Sequence, residues 1–289
     1  MMEWLDMVIQ GILLGGLYAL FAIGLSITYG VMRLVNIAHG DFIVLAGYAT
    51  LPLVAYLHWH PFVALPLVML IMAMLGYVLQ TTLLNKTIGP DILPPLLVTF
   101  GLSIVIQNGL QQLFSADAQA LQIGDLQIAS LQIGEDLAIG WFPLLVFMVA
   151  LAMTFGVNYL FNHTDTGMSL RATSDDPITA SLMGIRAQHV YGVALALSFA
   201  LVAVGGVFSA IRTTFTPSTG PTSLLYAFEP VVIGGLGSIW GTFAGAVILG
   251  VAQALGSKFD SGYGILAGHM MFLLILIFKP DGLFPRTRA

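Results

Sequence analysis

Arg171-Ala-Thr-Ser-Asp-Asp-Pro-Ile-Thr-Ala-Ser-Leu-Met-Gly-Ile185 is a short polar run held between two long apolar stretches, 141–162 and 189–211. Asp176 before Pro177 has the form of a helix N-cap followed by the residue best tolerated at the first helical position. Gly184 then supplies a C-terminal stop. The run predicts a helix of about two turns, too short to hold itself together in water. It needs a surface to dock on. The stretches on both sides exceed the roughly 18 apolar residues that mark a membrane span. The chain is therefore read as membrane spans interrupted by a cytoplasmic coupling loop, 163–188.

Composition agrees. Of 289 residues, 58% are hydrophobic and 8% charged, and the mean hydropathy is +0.94. Soluble domains carry about 25% charged residues, so most of this surface does not face water. The net charge of −5 is thinly spread and forms no basic stripe, which excludes nucleic acid as a partner. The absence of cysteine excludes disulfides, thiolate metal sites and cysteine nucleophiles. The histidines are scattered with no His-x-x-x-His pair, so no metal site is expected. Met1-Met-Glu-Trp-Leu-Asp6 lacks the positive region of a signal peptide, so the first apolar stretch stays as a span. No hydrophilic stretch is long enough to hydrolyse ATP, and chemistry of that kind belongs to another chain.

The expected fold is all-α: one polytopic bundle over 1–289, of about eight spans. The apolar segments are 4–29, 34–57, 62–84, 92–114, 141–162, 189–211, 226–255 and 262–278. All should be helical, because a backbone in lipid satisfies its own hydrogen bonds. Small residues recur at four-residue spacing (Gly11/Gly15, Gly205/Ser209, Gly237/Gly241/Gly245, Gly264/Gly268), which suits close helix packing. The connection 115–140 differs. Leu121-Gln-Ile-Gly-Asp-Leu-Gln-Ile-Ala-Ser-Leu-Gln-Ile-Gly134 alternates short apolar and polar pairs, and it predicts a small β-rich flap on the extracytoplasmic face.

Basic residues set the orientation. With 163–188 inside, Arg33 and Lys86 are also inside and the N-terminus is outside. Eight plain crossings would leave Lys279, Arg286 and Arg288 outside, against the rule. Region 226–255 resolves this if Pro230 and the Gly-Gly-Leu-Gly cluster break it into a discontinuous helix, as transport proteins often do. The preferred topology is then N-outside, C-inside. A faint repeat lays 37–54 over 234–251, with Gly40 on Gly237.

Candidate pathway residues are the polar ones inside apolar stretches. Asn36, His39 and Asp41 each cost several kcal/mol there unless they meet a cavity, a partner or the interface. Asn36 and His39 share a helix face while Asp41 points elsewhere, and Gly40 is a candidate break between them. Two readings stand: a break beside a translocation path, or Asn36 and Asp41 capping a helix that starts near the surface. Glu229 before Pro230 suits a first helical turn as well as a ligand, and Ser238 lies among small residues. His269, alone in the last span, reads as a bundle residue held by hydrogen bonds.

Gly16-Leu-Tyr-Ala-Leu-Phe-Ala-Ile-Gly-Leu-Ser-Ile-Thr-Tyr-Gly30, then Asn36-Ile-Ala-His-Gly-Asp-Phe42, resembles the opening of the branched-chain amino acid ABC transporter permeases. Arg171 to Ile185 resembles their cytoplasmic coupling motif, and Glu229-Pro-Val-Val-Ile-Gly-Gly-Leu-Gly-Ser-Ile-Trp-Gly-Thr242 their late block. Permeases for urea and short amides look much alike. The resemblance implies a bacterial inner-membrane subunit, not an enzyme, with no cofactor of its own. It implies two ATP-binding cassette subunits that use ATP, a second homologous permease and a periplasmic amino-acid-binding protein. It also implies ATPase coupling through Arg171, Asp175, Asp176, Ala180 and Gly184. Two other classes compete. A proton-coupled secondary transporter would use His39 or Asp41 and need no ATPase. An intramembrane serine protease would need Ser238 beside His269, but Ile239 follows the serine and the Gly-x-Ser-Gly pattern is absent. No charge ring of an ion channel is visible.

Overall fold

The computed structural model describes residues 2–89, 91–132, 138–260 and 262–284. Four long helices come first: α1 (Met2–Met32), α2 (His39–Leu57), α3 (Pro61–Thr82) and α4 (Leu93–Phe114). A hairpin of β1 (Ser130–Gln132) and β2 (Ala138–Gly140) leads into α5 (Trp141–His163). Two shorter helices follow, α6 (Asp165–Asp175) and α7 (Pro177–Leu182), then α8 (Ala187–Arg212). The chain closes with α9 (Gly220–Gly234), α10 (Ile239–Ser257) and α11 (Tyr263–Phe278). Among the described residues seven helices are long and apolar enough to cross a membrane; α9 and α11 are shorter. The protein is an all-α polytopic bundle.

Region 226–255 is broken at its Gly-Gly-Leu-Gly cluster, as expected, but not at Pro230, which lies inside α9. The break is the turn 235–238, where Gly235 and Gly237 both take positive φ. α9 and α10 then pack antiparallel, with Gly241 against Gly234 and Gly245 against Pro230. The extra reversal brings Lys279 to the end that holds Arg33, Lys86, Arg171 and Arg186. There the amides of Leu283 and Phe284 donate to the carbonyls of Ile233 and Gly234. This is the basic end that the positive-inside rule weighs. Arg286 and Arg288 lie outside the described residues. At the opposite end Lys258 pairs with Glu3 at 2.9 Å and lies over the Trp4 ring.

α1 and α8 form the centre, with most of their apolar windows buried. They cross antiparallel: Gly24 meets Ser198, and Gly205 meets Leu20 and Phe21. α1 runs along α10, where Gly11 and Gly15 touch Val251 and Val247. α8 runs along α3 in the same way, where Gly76 and Gly192 touch Leu195 and Tyr77. Small residues at these contacts let backbones approach and gain dispersion in the absence of a hydrophobic drive between helices.

Exchanging α1, α2 and α3 for α8, α9 and α10 reproduces the packing with every helix direction reversed. This is an inverted repeat, and it corrects the faint one read from sequence. The overlay of 37–54 on 234–251 matches α2 to α10, but α2 corresponds to α9, and Gly40 abuts Gly220 instead of resembling Gly237.

α2 begins deep in the bundle. Residues 33–38 double back along α1, so that His39 lies level with Phe21 and its Nε2 donates to the Phe21 carbonyl at 2.9 Å. α9 begins at the same depth, because its first residue touches Gly40 and Asp41. Gly40 does not break α2, contrary to the sequence expectation: it sits inside the first turn, and its missing side chain makes room for the backbone of α9.

The 115–140 connection is a flap at the N-terminal end of α1, but its β content is confined to three-residue strands. Ser130 pairs with Gly140 and Gln132 with Ala138; residues 133–137, including Gly134, lie outside the described residues. Within 121–134, read as short strands and turns, Gly124–Gln127 forms a 3-10 turn. The connection is spent on the bundle: Leu121 donates to Ala210, Gln119 exchanges bonds with Phe215, and Gln127 Nε2 donates to the Ile211 carbonyl.

Candidate functional site

α6 and α7 are two helices with a bend at Asp176; α7 is the short helix expected between Asp176 and Gly184, and α6 before it was not expected from sequence. Thr164 caps α6 by accepting the Gly167 amide at 3.1 Å. Asp176 ends α6 and caps α7: its Oδ1 accepts the amides of Ile178 at 2.9 Å and Thr179 at 3.2 Å. Pro177 takes the first helical position, where its missing N–H costs nothing. At the other end Gly184 has φ +87°. Its amide donates to Ser181, and the Ile185 amide to Ala180 at 3.1 Å, the paired bonds of a Schellman cap. Both ends of this two-turn helix are thus fastened.

The surface of α7 is apolar and uncovered. Ile178, Leu182 and Met183 are 74%, 81% and 80% exposed, while Ala180 is buried toward the bundle. Asp175 closes α6 on the exposed side. The Asp176 carboxyl is held below the usual aspartate range, first by the Thr179 hydroxyl and then by the two amides it accepts. Beside α7 lies a groove of about 570 Å³ lined by Tyr77, Thr81, Asn85, Arg186 and His189. Tyr77 Oη and His189 Nδ1 share a hydrogen bond of 2.9 Å there. The apolar trio escaped the sequence reading, although Ile178 and Leu182 stand at helical spacing within the quoted run.

Arg171 does not share that surface. It turns inward to a cavity of about 210 Å³ between the ends of α1 and α5 and the start of α10, lined also by Gly30, Asn158, Asn162, Ser238 and Trp240. Its Nη1 reaches Asn162 Oδ1 at 3.4 Å, and its Nε is buried without a partner. Ser238 caps α10 by accepting the Gly241 amide at 3.2 Å.

The other pathway candidates fall in three places. Asn36 and His39 form one knot, both fully buried. Asn36 Oδ1 accepts the Ala38 amide at 3.0 Å, which closes the turn before α2. Asn36 Nδ2 and His39 Nδ1 have no partner. Asp41 faces another way and accepts from Gln107 Nε2 of α4 at 2.9 Å, and Gln107 also donates to Ser103. Glu229 pairs with His269 Nδ1 across α9 and α11. Ser238 stands apart from His269, with its oxygen committed to a helix cap. Gln107, Ser103 and the asparagines of α5 were missed from sequence because amides and hydroxyls in a span are common and only the fold shows which ones lie beside Asp41 or Arg171.

The chain matches the family described as branched-chain amino acid transport system / permease component over residues 7–278. It is 28% identical to the high-affinity branched-chain amino acid transport system permease protein BraD of Pseudomonas aeruginosa, covering 99% of this chain and 97% of that one. It is 28% identical to the corresponding permease protein LivH of Escherichia coli, with the same coverage of 99% and 97%. The Escherichia coli permease protein LivM is 24% identical over 94% of this chain and 68% of its own length. No solved structure matches. With a match running through nearly all of its helices, the chain belongs to the family of branched-chain amino acid transport system permease components.

Proposed function

We propose that the chain is the membrane-spanning permease of an ABC importer for branched-chain amino acids, set in a bacterial inner membrane and driven by separate ATPase subunits. The observation that carries this reading is α7: a helix fastened at both ends whose outward side is Ile178, Leu182 and Met183, at the cytoplasmic end of the bundle. Burying each such side chain yields about 1.5–3 kcal/mol, so a partner with an apolar groove binds here. In this reading Asp175, Asp176, Ala180 and Gly184 give the docking helix its shape, and Arg171 braces it from behind.

Two ATP-binding cassette subunits use the ATP; this chain is a conduit without a catalytic site or cofactor. LivH and LivM are both similar to this chain and are named as permeases of one kind of system, which supports pairing with a second, related permease. A periplasmic amino-acid-binding protein delivers the substrate at the flap end. The substrate rests on the relatives' names. The five pathway candidates do not make a single binding site: Asn36, His39 and Asp41 secure the deep start of α2, Glu229 ties α9 to α11, and Ser238 shapes the α9–α10 break. The path runs past these breaks as the helices shift.

Co-purification in gentle detergent tests the reading, with wild type beside the double variant Ile178→Asp/Leu182→Asp. An ATPase should accompany the wild type and be lost from the variant while the protein stays in the membrane. A stable wild type that brings no ATPase and supports uptake dependent on the proton gradient would overturn it in favour of a secondary transporter.

A further inference from the structure

The cavity behind Arg171 is more than packing space. A guanidinium offers five donors and no acceptor, yet Nη1 makes one long bond, Nε makes none, and no ion pair joins Arg171 to a carboxylate among the described residues. A half-buried cation left without a counter-ion is costly. The other lining groups suit an anion. Asn158 brings a side-chain amide, while Asn162 Nδ2 is engaged by the Asn158 carbonyl and Oδ1. The turn at Gly237 and Ser238 leads into α10, where Ser238 Oγ takes the Gly241 amide and leaves those of Ile239 and Trp240 at the cavity.

The position of the cavity selects the anion. It is walled by Asn158, Phe161 and Asn162 of α5 and by Ile239 and Trp240 of α10, at the basic end. There Trp240 packs edge-on to Phe155 at 4.7 Å, and Tyr159 stacks on His163 at 4.9 Å. Trp240, Phe155 and Tyr159 are all exposed. Aromatic side chains of this kind mark the level of lipid headgroups. Basic pockets between spans on the cytoplasmic side take anionic headgroups, which concentrate in that leaflet.

We propose that this cavity binds a phosphate-ester anion, the headgroup of an anionic phospholipid of the cytoplasmic leaflet, with Arg171 as its counter-ion. The volume of about 210 Å³ is ample for a phosphodiester. A headgroup seated there would touch α5, α6 and the start of α10 together. It would join the coupling helices to the α9–α10 break by a ligand that belongs to the membrane. The site stands on its own geometry and does not depend on the transported substrate.

Thermal unfolding and native mass spectrometry of the full purified chain test this. The additions are phosphatidylglycerol, phosphatidylcholine or inorganic phosphate; the variants are Arg171→Gln, Arg171→Lys, Asn162→Asp and Arg186→Gln. Phosphatidylglycerol should stabilise the wild type and Arg186→Gln more than phosphatidylcholine does, with one lipid retained. Arg171→Gln should lose about tenfold in that retention, the cost of one charge-assisted contact, and Arg171→Lys should lose less. Asn162→Asp, an exposed change that places a carboxylate beside Arg171, should displace the lipid even if Arg171→Gln fails to fold. Stabilisation by inorganic phosphate equal to that by phosphatidylglycerol would keep the anion site and overturn the lipid as its source. Equal retention of phosphatidylglycerol by the wild type, Arg171→Gln and Asn162→Asp would overturn the site itself.

Discussion

Gly40 and Gly220 meet backbone to backbone where two helices begin inside the bundle. A Cβ on Gly40 would strike the Gly220 carbonyl, and one on Gly220 would strike the Asp41 carboxylate. The Gly220 backbone does not yield, and the Asp41 carboxylate is held in place by Gln107. Gly40→Ala and Gly220→Ala should therefore cost about 1–3 kcal/mol or more by overpacking and sharply reduce the folded protein extracted from membranes. Gly101→Ala, on the open side of α4 with nothing within 4 Å, should leave the yield unchanged. Size-exclusion of detergent extracts reads all three.

Gly184 holds a left-handed conformation that closes α7. An alanine there carries about 1–2 kcal/mol of strain, which two turns of helix cannot absorb. Gly184→Ala should weaken ATPase co-purification and uptake while membrane levels hold. Gly184→Asn should lose less, since asparagine tolerates this region. Normal uptake by Gly184→Pro would show that the docking helix does not need its closed end.

The Asp176 carboxyl is depressed because its charged form accepts from Thr179 and the α7 amides. A depressed carboxyl adds stability above its unfolded value, about 3.9, and that contribution falls away as pH drops through the lower folded value. The cap is therefore complete at neutral pH. Hydrogen exchange at Ile178 and Thr179 should stay slow down to about pH 4 and quicken below it. Asp176→Asn should cap with no such pH dependence.

Glu229 is buried and joined to His269, whose imidazole is partly open to the surroundings. Removing one partner strands a buried carboxylate. His269→Gln should destabilise by on the order of 3 kcal/mol, and Glu229→Gln/His269→Gln by less than Glu229→Gln and His269→Gln added together. Thermal unfolding of the four proteins gives the coupling; strict additivity would show that the pair does not act as a unit.

The docking helix was legible because its chemistry is local: Asp176, Pro177 and Gly184 each do what their type does at a helix end. The break at 235–238 was legible for a similar reason, since the charge of Lys279 demanded an extra reversal. What stayed hidden depends on distant residues. Nothing in Gly40 says that Gly220 will lie against it, so a contact between helices read as a break within one. Arg171 looked like part of a docking surface because the sequence does not show that α6 turns it toward Asn162. The flap read as β-rich because its alternation is real, but its strands are short, since the amides of Gln119 and Leu121 are claimed by Phe215 and Ala210 of the bundle.

α7 is followed by four residues before α8 begins, and none of them is slack. Met183, Gly184 and Ile185 are spoken for by the closing bonds of α7, and the Arg186 carbonyl accepts the amides of His189 and Val190 in the first turn of α8. A load applied at Ile178 or Leu182 therefore reaches α8 as through a rigid crank. α8 is the axle against which α1, α2 and α3 all bear. Exchanging α1 with α8 leaves α7 without a counterpart among the described residues, so the symmetry of the bundle stops at this one short helix.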